Sequence, residues 1–202
     1  MEQYKQVLSK YLPDGTEDII IEWLKQYRIH LHVSRNRVTK LGDFRPRPGE
    51  PVQKVTVNHD LNPYEFLITL VHEIAHVEVW KYHSNRVRPH GREWKAAYGR
   101  MLSSLLNRGL FPQDLEKALV RHAARPLASS GSDLELARVL KNYDTTTRIT
   151  LEDLPDSSAF RIHNGKRFKK MDKSRKRYRC LCLDNKKIYL VHPMTRVVLE
   201  EE

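Results

Sequence analysis

The first third of the chain places apolar residues at helical spacing and then at strand spacing. In residues 2 to 12 and 17 to 28, apolar side chains recur every three or four positions, which predicts two amphipathic helices, the second with Thr16 as its N-cap. Three short β-like runs follow, at 29 to 33, 38 to 44 and 53 to 61. Because Asn, Pro and Gly separate these runs, the pattern predicts a small antiparallel sheet.

The most apolar segment predicts a central helix over residues 63 to about 82. Asn62 stands in the N-cap position, with Pro63 at the first helical position and Glu65 at the third, which is typical of a helix start. On a helical wheel, one half of this segment is apolar and comprises Phe66, Leu67, Leu70, Val71 and Ile74. A helix with so wide an apolar face belongs in the middle of a core.

Two further helices are predicted at 91 to 107 and 113 to 124. Residues 125 to 133 have the composition of a linker. Ser132 and Glu135 have the spacing of a capping box, which predicts a last helix that runs through Asn142.

From Ala159 onward the pattern changes to short strand-like runs. Asn164-Gly165 and Asp184-Asn185 are predicted turns between them, and Asn-Gly is a strong hairpin signal. We therefore predict an α+β fold in three segments. These are a helical domain with a small sheet over residues 1–125, a linker with one helix over 126–157, and a small all-β appendage over 158–202.

Composition and charge limit the compartment and the partners that we expect for the protein. The 202 residues have a net charge of +11, which favours polyanionic partners. Cys180 and Cys182 are too few for a disulfide framework, so a reducing compartment fits. The start shows no signal peptide, and no window approaches the roughly 18 apolar residues of a membrane span. We expect a cytoplasmic protein without a membrane partner.

Two histidines and a glutamate in the central helix indicate a metal site. Residues four apart lie close together on a helix, so His72 and His76 can offer both imidazoles to one ion. Glu73 falls beside this pair, within reach of a metal-bound water rather than of the metal, as a general base does in H-E-x-x-H. The alternative is a buried helix whose histidines bond to neighbouring carbonyl groups.

A catalytic zinc normally takes a third protein ligand. The metzincin pattern would need glycine in place of Val79 and histidine in place of Tyr82, and His83 lies too far along the axis to share the ion. Glu93 is placed downstream, as a ligating carboxylate would be. His90 lies between a proline and a glycine, in a loop that can fold back onto the helix, and neutral imidazole is the usual companion of two others.

The segment "VHEIAH", followed after thirteen residues by "HGREWKAAYGRM", resembles the SprT-like metalloproteases, the family of the DNA-protein crosslink protease Spartan. His90, Gly91 and Trp94 match the family's second element, H-G-x-x-[FW], and the resemblance covers roughly residues 10 to 125. It implies a zincin-like domain, one catalytic zinc with His72, His76 and His90 as ligands, and Glu73 as general base. Glu93 is then a solvated or neighbouring acid.

The appendage departs from this family, many of whose members end in a zinc ribbon with two cysteine pairs. Cys180, Cys182 and His192 provide three ligands at most, so we expect two core-filling cysteines and no second zinc. The same region is strongly basic, and nine of its cations are candidate nucleic-acid contacts: Lys166, Arg167, Lys169, Lys170, Lys173, Arg175, Lys176, Arg177 and Arg179. Phe168 and Tyr178 interleave with these charges and favour contact with DNA without sequence specificity, against the alternative of a solvated face.

Together these features predict a zinc metalloendopeptidase that cleaves DNA-associated or DNA-crosslinked proteins. The alternative is a nucleic-acid-binding module whose zinc only stabilises the fold, and Glu73 argues against it because a structural site has no use for an acid there. Four residues are near enough in sequence to donate to the oxyanion: Tyr82, His83, Arg92 and Tyr98.

Overall fold

The structure is a computed structural model that describes residues 2 to 37 and 40 to 200, apart from the side chains of residues 2 to 4 and 130. The chain forms two compact units that divide between Tyr143 and Asp144. The predicted α+β class is confirmed: helices and a three-stranded sheet build the first unit, and a five-stranded antiparallel sheet dominates the second.

In its described residues the first unit contains six α-helices, one short 3₁₀ helix and three strands. The helices are α1 (Glu2–Leu8), α2 (Glu17–Gln26), α3 (Pro63–His83), α4 (Arg92–Leu105), α5 (Gln113–Ala124) and α6 (Leu134–Lys141). The strands are β1 (Ile29–Ser34), β2 (Gly42–Phe44) and β3 (Gln53–Asn58). The helix predicted at 113 to 124 matches α5, whereas α1 and α2 end earlier than predicted. Part of the strand predicted at 38 to 44 lies outside the described residues, at positions 38 and 39.

The small sheet is mixed, so the prediction of an antiparallel sheet is wrong for one of its two pairings. Its order is β1-β3-β2, with β1 parallel to β3 and β2 antiparallel to β3. A parallel pair needs a crossover of about a dozen residues or more, and residues 35 to 52 provide one that includes β2 itself. As a result β2, the middle run along the chain, lies at an edge of the sheet, and β3 lies between β1 and β2.

The start of α3 is built as predicted. The Asn62 side chain accepts a hydrogen bond from the Glu65 backbone N–H at 2.9 Å, and Pro63 occupies the first turn, where no N–H is needed. The helix ends at His83, one residue beyond the predicted end. Its apolar residues from Phe66 to Val79 are buried in the core of the first unit, which makes α3 the central helix.

Two predicted caps differ in the structure. Thr16 lies in the N-cap position of α2, but its hydroxyl donates to the Pro13 carbonyl instead of capping the helix. The capping box at Ser132 and Glu135 is wrong, because Asp133 is the N-cap of α6 and accepts from the Leu136 N–H. The other Asp133 oxygen bonds to buried His122 of α5 at 2.9 Å, which holds residue 133 at this position.

The segment predicted as a linker with one helix contributes to both cores. Leu136 and Leu140 of α6 are buried in the core of the first unit. Leu151 and Leu154, at and just after a short 3₁₀ turn, are buried in the core of the second. None of the described helices has the length and apolar character needed to cross a membrane.

The second unit is an antiparallel sheet of order β7-β6-β5-β4-β8. Its strands are β4 (Ala159–Arg161), β5 (Arg167–Ser174), β6 (Arg177–Cys182), β7 (Ile188–Val191) and β8 (Val198–Leu199). Phe160 and Phe168 stack in its core beside Cys180 and Cys182, which are free thiols on one face of β6. The cysteines fill the core, as predicted, and the described residues contain no second metal-ligand cluster.

Candidate metal centre

Three histidine side chains converge on one point beside α3. The Nε2 atom of His76 lies 3.1 Å from that of His72 and 3.0 Å from that of His90, and the third side of this triangle is 3.2 Å. Nitrogens placed about 2.0–2.1 Å from a tetrahedral ion would be about 3.3 Å apart. The cluster therefore has the size of three imidazole ligands on one metal ion, and it is the only such cluster in the described part of the chain.

Local backbone geometry brings His90 to the other two histidines. His90 adopts φ +56°, a left-handed conformation that is uncommon outside glycine and several-fold enriched for histidine. The turn is closed by a hydrogen bond from the Gly91 N–H to the Arg88 carbonyl at 2.9 Å. A Cβ on Gly91 would lie 2.8 Å from that carbonyl oxygen, so only glycine fits there without a backbone shift. This packing explains why a glycine follows His90.

Trp94 is the common neighbour of the three histidines. It is fully buried, and its ring centroid lies 4.6 Å from that of His72, 5.3 Å from that of His76 and 4.7 Å from that of His90. Tyr98, one turn further along α4, stacks on Trp94 and also contacts the His72 ring. The spacing of four between Trp94 and Tyr98 was the available signal in the sequence, because it places these two residues on one side of α4.

The three imidazoles are neutral at physiological pH. Burial, with smaller contributions from the neighbouring imidazoles, lowers the pKa of His72 to about 3 and that of His76 to about 4. Burial also lowers the pKa of His90. Neutral imidazole is the form that binds a metal ion, so these residues are ready to act as ligands.

Glu73 lies beside the cluster and beneath β2. Its side chain is only 7% exposed, and burial, with a smaller contribution from the Asp43 charge, raises its pKa to about 8. The Phe44 backbone N–H, which hydrogen-bonds to the carboxylate, and the charges of Arg37 and Lys40 oppose this rise. A carboxyl group with a pKa near neutrality can both accept and release a proton at pH 7 to 8.

The histidines and Glu73 line an open cleft of about 900 Å³. One wall is β2 with the residues that flank it, and another is the loop of residues 84 to 90. Ile68, Thr69 and Trp80 of α3 contribute to the floor. The cleft is therefore large enough for a segment of a polypeptide chain.

The other residues considered from the sequence, as a metal ligand or as oxyanion donors, lie outside the histidine cluster. Glu93 is not part of the histidine cluster. Among the four oxyanion donors considered, Tyr82 is 66% exposed, and neither it nor His83 or Arg92 lines the cleft. Tyr98 lines the cleft, but its hydroxyl is buried without a hydrogen-bond partner.

The region that contains the three histidines also matches a known protein family. The family model for the SprT-like family matches residues 4–113. The chain belongs to the SprT-like family. The match includes α3, the loop that holds His90 and all of α4, so the resemblance drawn from the two histidine motifs is confirmed. No curated protein and no solved structure matches the chain.

The C-terminal sheet lies outside the SprT-like match, and its nine candidate cations are not equivalent. Seven of them are exposed: Lys166, Arg167, Lys169, Lys173, Arg175, Lys176 and Arg177. Arg179 is half-buried and pairs with Asp172 at 3.4 Å. Lys170 is 3% exposed, donates to the Leu154 carbonyl and lies over the Tyr178 ring, so its assignment as a nucleic-acid contact is wrong.

The structure contradicts the expected aromatic contribution of Phe168 to this surface. Phe168 is 3% exposed in the core of the second unit, and Tyr178 is half-buried with Lys170 and Lys173 over its ring. The alternation of β5 explains the burial of Phe168 and of Lys170, because residues 168 and 170 share the inner face while 167 and 169 share the outer face. The outer face and the turn between β5 and β6 offer cations without stacking platforms.

Proposed function

We propose that the chain is a zinc-dependent endopeptidase that cleaves proteins bound or crosslinked to DNA. The observation that supports this most directly is the convergence of three neutral imidazoles with a buried glutamate beside them in an open cleft. A site that only stabilised the fold would normally be closed by a fourth protein ligand and would need no acid of raised pKa.

His72, His76 and His90 would hold the ion. Zinc in this site would acidify a water ligand and polarise the carbonyl group of the scissile peptide. Glu73 accepts the proton of the water as its oxygen adds to the carbonyl carbon, and then donates that proton to the amine nitrogen as the C–N bond breaks. The carboxylate form of Glu73 is the acceptor in the first transfer and its protonated form is the donor in the second, so one group can perform both.

The edge position of β2 offers a way to bind the substrate. Among the described strands, β2 pairs on one side only, with β3, and its residues line the cleft. An extended peptide can add to such an edge through main-chain hydrogen bonds, which hold a substrate with little dependence on its sequence. The scissile bond would then lie in the cleft beside Glu73.

The basic sheet supports the choice of DNA-associated substrates. Arg175 and Lys176 lie in the turn between β5 and β6, are exposed, and form no ion pair in the described part of the chain. With Lys169 on the outer face of β5, they can contact phosphates. Because the aromatic residues are turned inward, we propose that DNA is bound through its backbone and not by base stacking or base-edge contacts.

The experiment that tests this function combines metal content with proteolysis. The zinc content of the purified protein is measured, and its cleavage of casein and of itself is assayed with and without single-stranded DNA. The same assays are repeated after chelation of the metal and again after zinc is added back. We expect one zinc per chain and a cleavage activity that is lost on chelation and restored by zinc. Bound zinc without cleavage of any substrate, with or without DNA, would favour the nucleic-acid-binding module.

A further inference from the structure

The backbone of β2 at Gly42 lies directly against the Glu73 side chain. A Cβ atom built on Gly42 would lie 2.7 Å from Oε1 and 2.9 Å from Cγ of Glu73, and 2.8 Å from Cγ2 of Thr69. Non-bonded carbon atoms prefer about 3.5–4.0 Å. No side chain larger than hydrogen fits at position 42 unless Glu73 or Thr69 moves.

The reason for glycine here is space, not backbone conformation. Gly42 is not among the glycines with a left-handed φ, so another residue could adopt its backbone angles. It pairs with Val57 in the antiparallel register of β2 and β3, so the position of its backbone is held by the neighbouring strand. The missing Cβ allows the strand to lie against the carboxylate, and the Phe44 N–H two residues later bonds to the same group.

We infer that Gly42 is a positioning residue for Glu73: the bare backbone of β2 fixes where the carboxylate lies in the cleft. This inference rests on the proposed function of Glu73 as general base. Gly42 does not contact the reacting atoms itself. Its effect is exerted through the Glu73 side chain, which β2 confines between the strand and the histidine cluster.

The direct test is Gly42→Ala. The added methyl group should displace the Glu73 carboxylate by about 1 Å while the histidines stay in place, and a misplacement of this size can cost about a hundredfold in rate. We expect kcat for casein cleavage to fall between about tenfold and a hundredfold with little change in KM and with zinc fully retained.

A crystal structure of Gly42→Ala provides a readout that does not depend on activity. A displaced Glu73 carboxylate supports the inference even if the wild-type protein cleaves nothing, in which case the proposed function fails alone. An unmoved carboxylate, or wild-type kcat with full zinc content in Gly42→Ala, would overturn the inference and leave the proposed function intact.

Two double variants separate positioning from a general loss of stability. In a Glu73→Asp background the side chain is shorter, so Gly42→Ala should cost much less activity than it does beside Glu73. An equal cost in both backgrounds would contradict the inference. If Gly42→Ala does not fold, Gly42→Ala with Thr69→Ser removes the clash with Cγ2 and should fold with zinc bound but with a low kcat. Wild-type kcat in that double variant would also overturn the inference.

Discussion

At the scale of single residues, burial controls the protonation of the side chains in the candidate metal centre. The same loss of solvent lowers the pKa of His72 and raises that of Glu73. The imidazoles are therefore ready to bind a cation, and the carboxyl group is able to exchange a proton near neutral pH. His90 completes the set from a strained loop position that Gly91 makes possible.

The choice between His90 and Glu93 as third ligand can be tested directly. We expect His90→Ala to lose most of the bound zinc, because two imidazoles alone hold the ion weakly, and Glu93→Ala to retain it. Zinc content after dialysis, measured by atomic spectroscopy, checks both variants under one condition. Loss of zinc in Glu93→Ala together with retention in His90→Ala would show that the ligand assignment is wrong.

The raised pKa of Glu73 predicts a pH dependence of stability in the metal-free protein. Its pKa is about 8 in the fold, against 4.5 for an unperturbed glutamate, so the unfolded chain loses this proton first and stability should fall as pH rises between those values. Glu73→Gln cannot ionise and should be more stable than wild type at pH 8 to 9, by on the order of 1–3 kcal/mol. Urea unfolding at pH 5 and pH 9 measures the difference. An equal pH dependence of the free energy of unfolding in both proteins would contradict the raised pKa of Glu73.

At the scale of elements, some features can be predicted from local sequence and others cannot. The start of α3 is local, since Asn62, Pro63 and Glu65 act within one turn. The parallel pairing of β1 with β3 is not, because it joins residues 24 apart along the chain through a crossover. The cap of α6 was misassigned because Asp133 is selected by His122, a partner on another helix. The role inferred for Gly42 could not be predicted from the sequence either, because it depends on contact with α3.

The helices that present the site are joined by a buried carboxylate on α3. Glu78 accepts hydrogen bonds from the Tyr27 hydroxyl and, at 2.6 Å to each oxygen, from Arg100 of α4. Glu78→Ala would leave the buried Tyr27 hydroxyl without an acceptor, and we expect a loss of about 1–3 kcal/mol in the free energy of unfolding. Tyr27→Phe removes one donor but leaves Glu78 paired with Arg100, so this variant should lose less stability. Urea unfolding that gives Glu78→Ala the stability of wild type would show that this contact contributes nothing.

At the scale of the whole molecule, the net charge of +11 is less informative than its distribution. A run of cations in the sequence suggested nine DNA contacts, and the structure removes Lys170 from that set because its stem and ammonium group lie in the core of the second unit. The density of charge could be predicted, but the face on which each side chain lies could not, because the strand boundaries were needed to fix the alternation.

The DNA-binding proposal is tested by reversing three exposed cations, with Lys169, Arg175 and Lys176 all changed to Glu. We expect weaker binding to single- and double-stranded DNA and a flatter salt dependence, by up to about 0.9 in the slope of log K against log salt per lost phosphate contact on duplex DNA. The matched control reverses exposed Lys10, Lys25 and Lys117, which changes the net charge equally on the first unit. Equal losses in both triple variants would mean that only net charge matters.

The central claim is that Glu73 acts as general base beside a zinc ion held by three histidines. Casein cleavage by Glu73→Gln and by wild type, compared at equal zinc content, tests this claim most directly, because the amide keeps the shape of the side chain but cannot accept a proton. We predict that the variant binds zinc, folds, and cleaves on the order of a hundredfold more slowly or worse. Cleavage by the variant at the wild-type rate would contradict the mechanism.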